Sequence, residues 1–162
     1  MIDEVDRIVD AWHRERPDLD VGPLSILSRV TRLSRHLDLL RRGAFARHQL
    51  EVWEFDVLSA LRRAGEPYQL SPGTLVAQTL VTSGTMTNRI DRLAERRLVE
   101  RLPAPADRRG VLVRLTAEGR ARVDAAMEDL LRVESDLLAD LPEPDHTTLA
   151  DLLRVVVAPF EA

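Results

Sequence analysis

Residues Leu80 to Gly119 read LVTSGTMTNRIDRLAERRLVERLPAPADRRGVLVRLTAEG. Turning ~100° per residue from Met86 brings Ile90, Leu93 and Arg97 into one sector, while Gly84, Asn88, Asp91 and Glu95 point the other way. The spacing predicts a one-sided helix, with Thr82 or Ser83 as its N-cap. Ser83, Thr85, Thr87 and Asn88 give the first turns of its outer face hydroxyl and amide groups that can bond base edges or phosphates, so the helix is suited to a major groove. Leu98 to Leu102 and Val111 to Leu115 then alternate apolar and charged residues and predict a β-hairpin. Pro103 to Gly110 reads as the loop between them, with Arg108 and Arg109 at its tip, where an arginine pair suits a narrow minor groove or phosphates.

Helix, hairpin and following helix together resemble the winged helix-turn-helix of the MarR family of bacterial transcription regulators. The match is carried by Asp107-Arg108-Arg109-Gly110 and then Val111 to Thr116, similar to the family's wing signature, followed by Ala117-Glu118-Gly119. The resemblance extends over nearly the whole chain. Arg97 departs from it, because the family usually has Gly in the turn after the recognition helix. A left-handed Arg there costs roughly 1–2 kcal/mol relative to Gly, so a local change of turn is the expected accommodation.

Composition agrees with one domain of 162 residues with a proper core. The chain has no apolar run long enough to span a bilayer, and its acidic opening, MIDEVDRIVD, is unlike a secretion signal, so a cytoplasmic location without membrane contact is expected. It has no Cys, which excludes disulfides and thiolate metal sites. Net charge is −4, which alone argues against a nucleic-acid partner. Its distribution argues the reverse: residues 84–122 carry ten Arg against five acids, whereas residues 123–162 carry two against ten. A basic segment within an acidic body aims one face at phosphates. A merely solvated charged face is the alternative, weakened by its coincidence with the helix and hairpin.

Outward from this segment, helical spacing recurs in Ile2, Val5, Ile8, Val9 and Trp12, up to about His13 and before Pro17. From Pro23, residues Ile26, Val30, Leu33, Leu37 and Leu40 form the stripe of a long helix ending near Gly43. Trp53, Val57, Leu61 and Ala64 mark another, closed by Gly65 and Pro67. Ser71-Pro72 opens a short helix, the first member of the helix-turn-helix. After the hairpin, Thr116 caps a long helix bearing Val123, Met127, Leu130, Leu137 and Leu141, and a last helix carries Leu149, Leu152, Leu153 and Val156. The expected fold is mainly α with a small β-hairpin wing. Residues 51–119 are the winged helix-turn-helix, and residues 1–50 and 120–162 supply helices that interlock two subunits as a homodimer, as the resemblance also implies. An ordinary intramolecular bundle is the alternative.

The four His, at 13, 36, 48 and 146, lack ligand spacing, so no metal is expected. No phosphate loop or nucleophile elbow is present, no carboxylate pair stands out, and neither an enzyme nor a cofactor is expected. A buried sensor site is a better prospect. Arg89 lies ~60° from Met86, at the border of the buried face. Asp56 adjoins the apolar stripe of the preceding long helix, and Trp12 offers an indole with a flat apolar face and an N–H donor. The three also resemble, in type and order, the ligand site of the family's urate-responsive branch, as do ERPDLD at 15–20 and EFDVL at 54–58. By that resemblance Asp56 would relay ligand binding and Arg89 would pass it to the recognition helix. A simple inter-helix ion pair, with Trp12 filling a dimer core, remains open beside it.

The expected function is that of a ligand-responsive regulator, a repressor released from a palindromic operator by a small anionic aromatic effector such as urate. Thr85, Thr87, Asn88 and Arg92 are expected near bases, Arg96, Arg108 and Arg109 near phosphates or the minor groove, and Asp107 as the residue orienting Arg109. A phenolic compound or small carboxylate is the alternative effector, and a protein-interaction module the alternative class.

Overall fold

The computed structural model describes residues 2–104 and 107–161, excluding the side chains of residues 107–109. Backbone contacts divide the chain into two compact units, Met1–Gly43 and Ala44–Ala162.

In the first unit, α1 (Glu4–Glu15) starts with a capping box in which Asp3 accepts from the backbone of Val5 and Asp6, and Asp6 accepts from that of Asp3. Most of α2 (Gly22–Ala46) belongs here too. Its Arg29 donates to Asp3 at 2.8 Å and to Asp6 at 2.6 Å, tying the start of α1 to α2. Arg29 holds the Asp3 carboxyl below its ordinary range, and the Asp3 backbone N–H together with Arg29 does the same for Asp6. Ile26, Val30 and Leu33, the predicted stripe of α2, are exposed.

The second unit holds α3 (Val52–Arg63), β1 (Gln69–Leu70), α4 (Pro72–Thr79), α5 (Ser83–Glu95), β2 (Val99–Ala104), β3 (Asp107–Leu115), α6 (Ala117–Leu138) and α7 (Glu143–Val157), then a short 3-10 turn, Ala158–Phe160. Ser71 caps α4, Thr82 caps α5 and Thr116 caps α6, each accepting a backbone N–H three residues on. Phe45 and Phe55 stack at 3.9 Å in the core, joined by Leu58, Leu61 and Leu75. Met86, Ile90 and Leu93 bury the inner face of α5 in the same cluster.

Three expectations are corrected. The sheet has three antiparallel strands in the order β1-β3-β2, so the hairpin gains β1, in which Gln69 faces Arg114 and Leu70 faces Val113. Two residues are too few to show a period, and this strand carries no sequence signal. The wing strands also run farther than predicted, into Pro103 to Gly110. Pro103 is tolerated because β2 is an edge strand. Finally, Arg97 keeps the left-handed turn, with φ +59. Its N–H bonds Ala94 O and the Leu98 N–H bonds Leu93 O, both at 2.9 Å, a Schellman ending that satisfies the last carbonyls of α5. Thr116 Oγ1 braces this turn by donating to Arg97 O and Leu98 O.

Gly119, in the first turn of α6, lies against the same turn. A Cβ added there would stand 2.1 Å from Leu98 O. No residue of α7 is buried, and its Leu149, Leu152, Leu153 and Val156 are exposed.

Candidate nucleic-acid interface

The N-terminal half of α5 exposes Ser83, Thr85, Thr87 and Asn88. Thr82 Oγ1 accepts the Thr85 N–H at 3.3 Å and lies 2.9 Å from Thr85 Oγ1, so the cap also orders the hydroxyl next to it. Thr87 Oγ1 donates to Ser83 O at 3.0 Å, which leaves its lone pairs outward. Thr85, Asn88, Arg89 and Arg92 line an open cleft of ≈ 370 Å³ with Glu51 and Trp53 of the α3 N-terminal segment.

The arginines of α5 and its C-cap Arg96 divide into kinds that sequence does not separate. Arg89 and Arg92 both approach the Trp53 ring, 5.5 Å and 4.8 Å from its centroid, within cation–π range. Arg92 also reaches Glu51 at 3.4 Å, and Glu51 accepts the Trp53 indole N–H at 2.6 Å. Arg96, expected near phosphates, instead has its guanidinium committed to the protein. Its Nη1 contacts both oxygens of Glu54 at 2.5 Å, and its Nη2 donates to Gln49 O at 2.6 Å. Glu54 is 1% exposed, and its charge needs that partner.

Glu51, Trp53 and Glu54 are the site residues that sequence reading missed. The available signal was the pair of carboxylates three residues apart at the start of α3 matching arginines four apart at the end of α5, but nothing local joins two helices about forty positions apart.

The wing is braced to α5 by Arg101 of β2, which donates to Asp91 at 2.6 Å. Glu100 and Arg114 pair across the strands at 2.8 Å. Arg108 and Arg109 lie in the backbone of β3 near the hairpin tip, where Ala104 faces Asp107. Their side chains, and the expected Asp107–Arg109 bond, lie outside the described residues. Of the expected sensor residues, Arg89 and half-buried Asp56 belong to the second unit and half-exposed Trp12 to the first. Trp12 lines an open pocket of ≈ 340 Å³ with Ile8, Ala11 and Glu15. Among the described residues no cluster of His, Asp and Glu could hold a metal ion, and no helix is long and apolar enough to cross a membrane.

Known proteins resemble this chain in sequence and fold. The MarR family profile matches residues 48–110. The transcriptional regulator PecS of Dickeya dadantii is 38% identical over 93% of this chain and 90% of its own length. The multiple antibiotic resistance protein MarR of Salmonella typhimurium is 43% identical over 85% and 93%. A mutant MarR from E. coli, solved in complex with operator DNA, is 30% identical with a TM-score of 0.70, over 86% of this chain and 99% of that one. A MarR family protein from Bacillus stearothermophilus has a TM-score of 0.75 at 19% identity, over 89% and 99%, a likeness of fold alone. These relatives and this fold are those of transcription regulators, not of enzymes. With similarity running through the wing, the recognition helix and the helices on either side, the chain belongs to the MarR family of winged helix-turn-helix transcription regulators.

Proposed function

We propose that this protein is a cytoplasmic, ligand-responsive repressor that binds a palindromic operator as a homodimer. The observation that carries the reading is the outer face of α5: a capped helix with Thr85, Asn88 and Arg92 on one exposed side, next to a wing that brings Arg108 and Arg109. Paired in a dimer, two such helices enter successive major grooves about one turn apart. Ser83, Thr87 and the wing arginines add hydroxyl and cationic contacts. The exposed apolar residues of α2 and α7 support residues 1–50 and 120–162 as the dimerisation helices around a 51–119 winged body.

Release is assigned to a small planar anion such as urate, on the likeness of Trp12, Asp56 and Arg89 in type and order to the ligand residues of the family's urate-responsive branch. Arg89 belongs to α5 itself, so a ligand that takes its guanidinium acts on the reading helix directly. A phenolic compound or small carboxylate is a second reading, favoured by the flat cationic surface that Arg89 makes with Trp53.

A binding titration against palindromic and random duplexes at several salt concentrations tests the proposal. Asn88→Ala is expected to alter base preference, and Arg109→Ala to weaken binding to both duplexes and reduce the salt slope by about one. Equal losses on both duplexes for Asn88→Ala would contradict groove reading. Urate release that survives Trp12→Phe and Arg89→Gln would remove the sensor assignment, and a thermal-shift comparison of urate with salicylate separates the two effector classes.

A further inference from the structure

Two glutamates of the α3 N-terminal segment, Glu51 and Glu54, oppose Arg92 of α5 and its C-cap Arg96, and the two pairs differ in kind. Glu54 is sealed: its side chain is 2% exposed, both oxygens contact Arg96, and one of them also accepts the Glu51 backbone N–H at 2.9 Å. Glu51 is open: its side chain is 61% exposed and that of Arg92 54%, with their contact at 3.4 Å. A buried pair resists separation because either charge left alone is stranded away from water. An exposed pair is nearly neutral in free energy, so a competing anion can take the cation.

Arg92 shares its side of α5 with Asn88 and Thr85, one and two turns earlier. A phosphate arriving at that face meets a guanidinium already shared between the Glu51 carboxylate and the Trp53 ring. Arg89, 5.5 Å from the same ring, is the other cation there. We infer that Glu51 restrains Arg92: it holds the guanidinium on Trp53 in the free protein and yields it to duplex nucleic acid, so that it sets binding strength by competing with phosphate.

The inference rests on α5 being the nucleic-acid-reading helix. Removing the Glu51 charge frees Arg92 while the indole N–H stays bonded, since a Gln oxygen still accepts it. Glu51→Gln is therefore expected to tighten binding to a labelled random-sequence duplex about threefold to fivefold, the range of an exposed pair. It should also steepen the salt dependence, because no uncompensated carboxylate remains in the complex.

The decisive comparison repeats Glu51→Gln in an Arg92→Met background, with thermal midpoints as the control for folding. Loss of the gain in that background supports the restraint. A gain of the same size there means that Glu51 only repels phosphates, and weaker binding by Glu51→Gln alone means that it aims Arg92 at the duplex; either overturns the inference. Glu51→Ala, which lacks the amide, is expected to give a similar gain. Should the unaltered protein bind no duplex even at low salt, the reading of α5 fails first. Should it bind with no gain from Glu51→Gln, only the restraint fails.

Discussion

The middle of the chain and its ends treat apolar residues in opposite ways. From Ala44 to Leu130 nearly every large apolar side chain is covered within one core, and among the described residues only Leu80 and Val111 stand out as exposed. Before and after that segment the pattern inverts: Ile26, Leu27, Val30 and Leu33 on α2, and Leu149, Leu152, Leu153 and Val156 on α7, remain open to water. Leaving so much apolar surface in water is costly, at roughly 25 cal/mol per Å². The winged body thus satisfies itself, and the terminal helices carry surface whose cover is proposed to be a second copy.

If the winged body is a tightly fitted unit, damage within it should be severe. Gly119→Ala places a Cβ 2.1 Å from Leu98 O, a backbone atom at the turn after α5. It is expected to cost about 3 kcal/mol or more in denaturant titration, at the upper end of overpacking. Arg96→Met strands the buried Glu54 carboxylate and is expected to cost about 3 kcal/mol, whereas Arg92→Met, one turn away, should stay within ~0.5 kcal/mol. Similar losses for both arginines would erase the distinction between strut and open pair.

A smaller effect has the opposite sign. Arg97 holds φ +59, where Gly is unstrained, so Arg97→Gly is expected to raise stability by about 1 kcal/mol, the relief of left-handed strain less the added freedom of the unfolded chain. A loss would show that the Arg97 side chain makes a compensating contact.

The smallest effect concerns acid. Arg47, His48 and Arg132 hold Asp129 well below its ordinary carboxyl value of 3.8. A carboxyl depressed in the folded state stabilises above its unfolded pKa, and that contribution disappears as pH falls through the folded one. Asp129→Asn should therefore flatten the acid limb of the stability profile below about pH 4 and lower stability at neutral pH. An unchanged acid limb would mean that other carboxyls dominate it.

What sequence revealed and what it hid follow from the range of the interactions. Met86, Ile90 and Leu93 were legible as the buried face of α5 because a helix repeats locally, and Ser71, Thr82 and Thr116 because a cap bonds only three residues on. The wing motif marked its hairpin, although alternation stopped short of the strand ends and gave no hint of β1. Glu54 was opaque: its burial depends on Arg96, forty-two positions away, and a carboxylate beside Phe55 reads as an ordinary helix surface residue. Trp53 was legible as a core marker, but the two arginines on its ring are a tertiary fact. Arg97 shows the converse case, a strained residue kept in place by its own backbone bonds to Ala94 and Thr116 and by that of Leu98 to Leu93.

The division between a self-covered winged body and apolar ends completed by a second copy is tested most directly by the native mass of the whole chain, free and bound to a duplex. The account predicts twice the 18.3 kDa protomer in solution and two protomers on each operator. A single 18.3 kDa species in solution, loading one protomer per duplex, would contradict it.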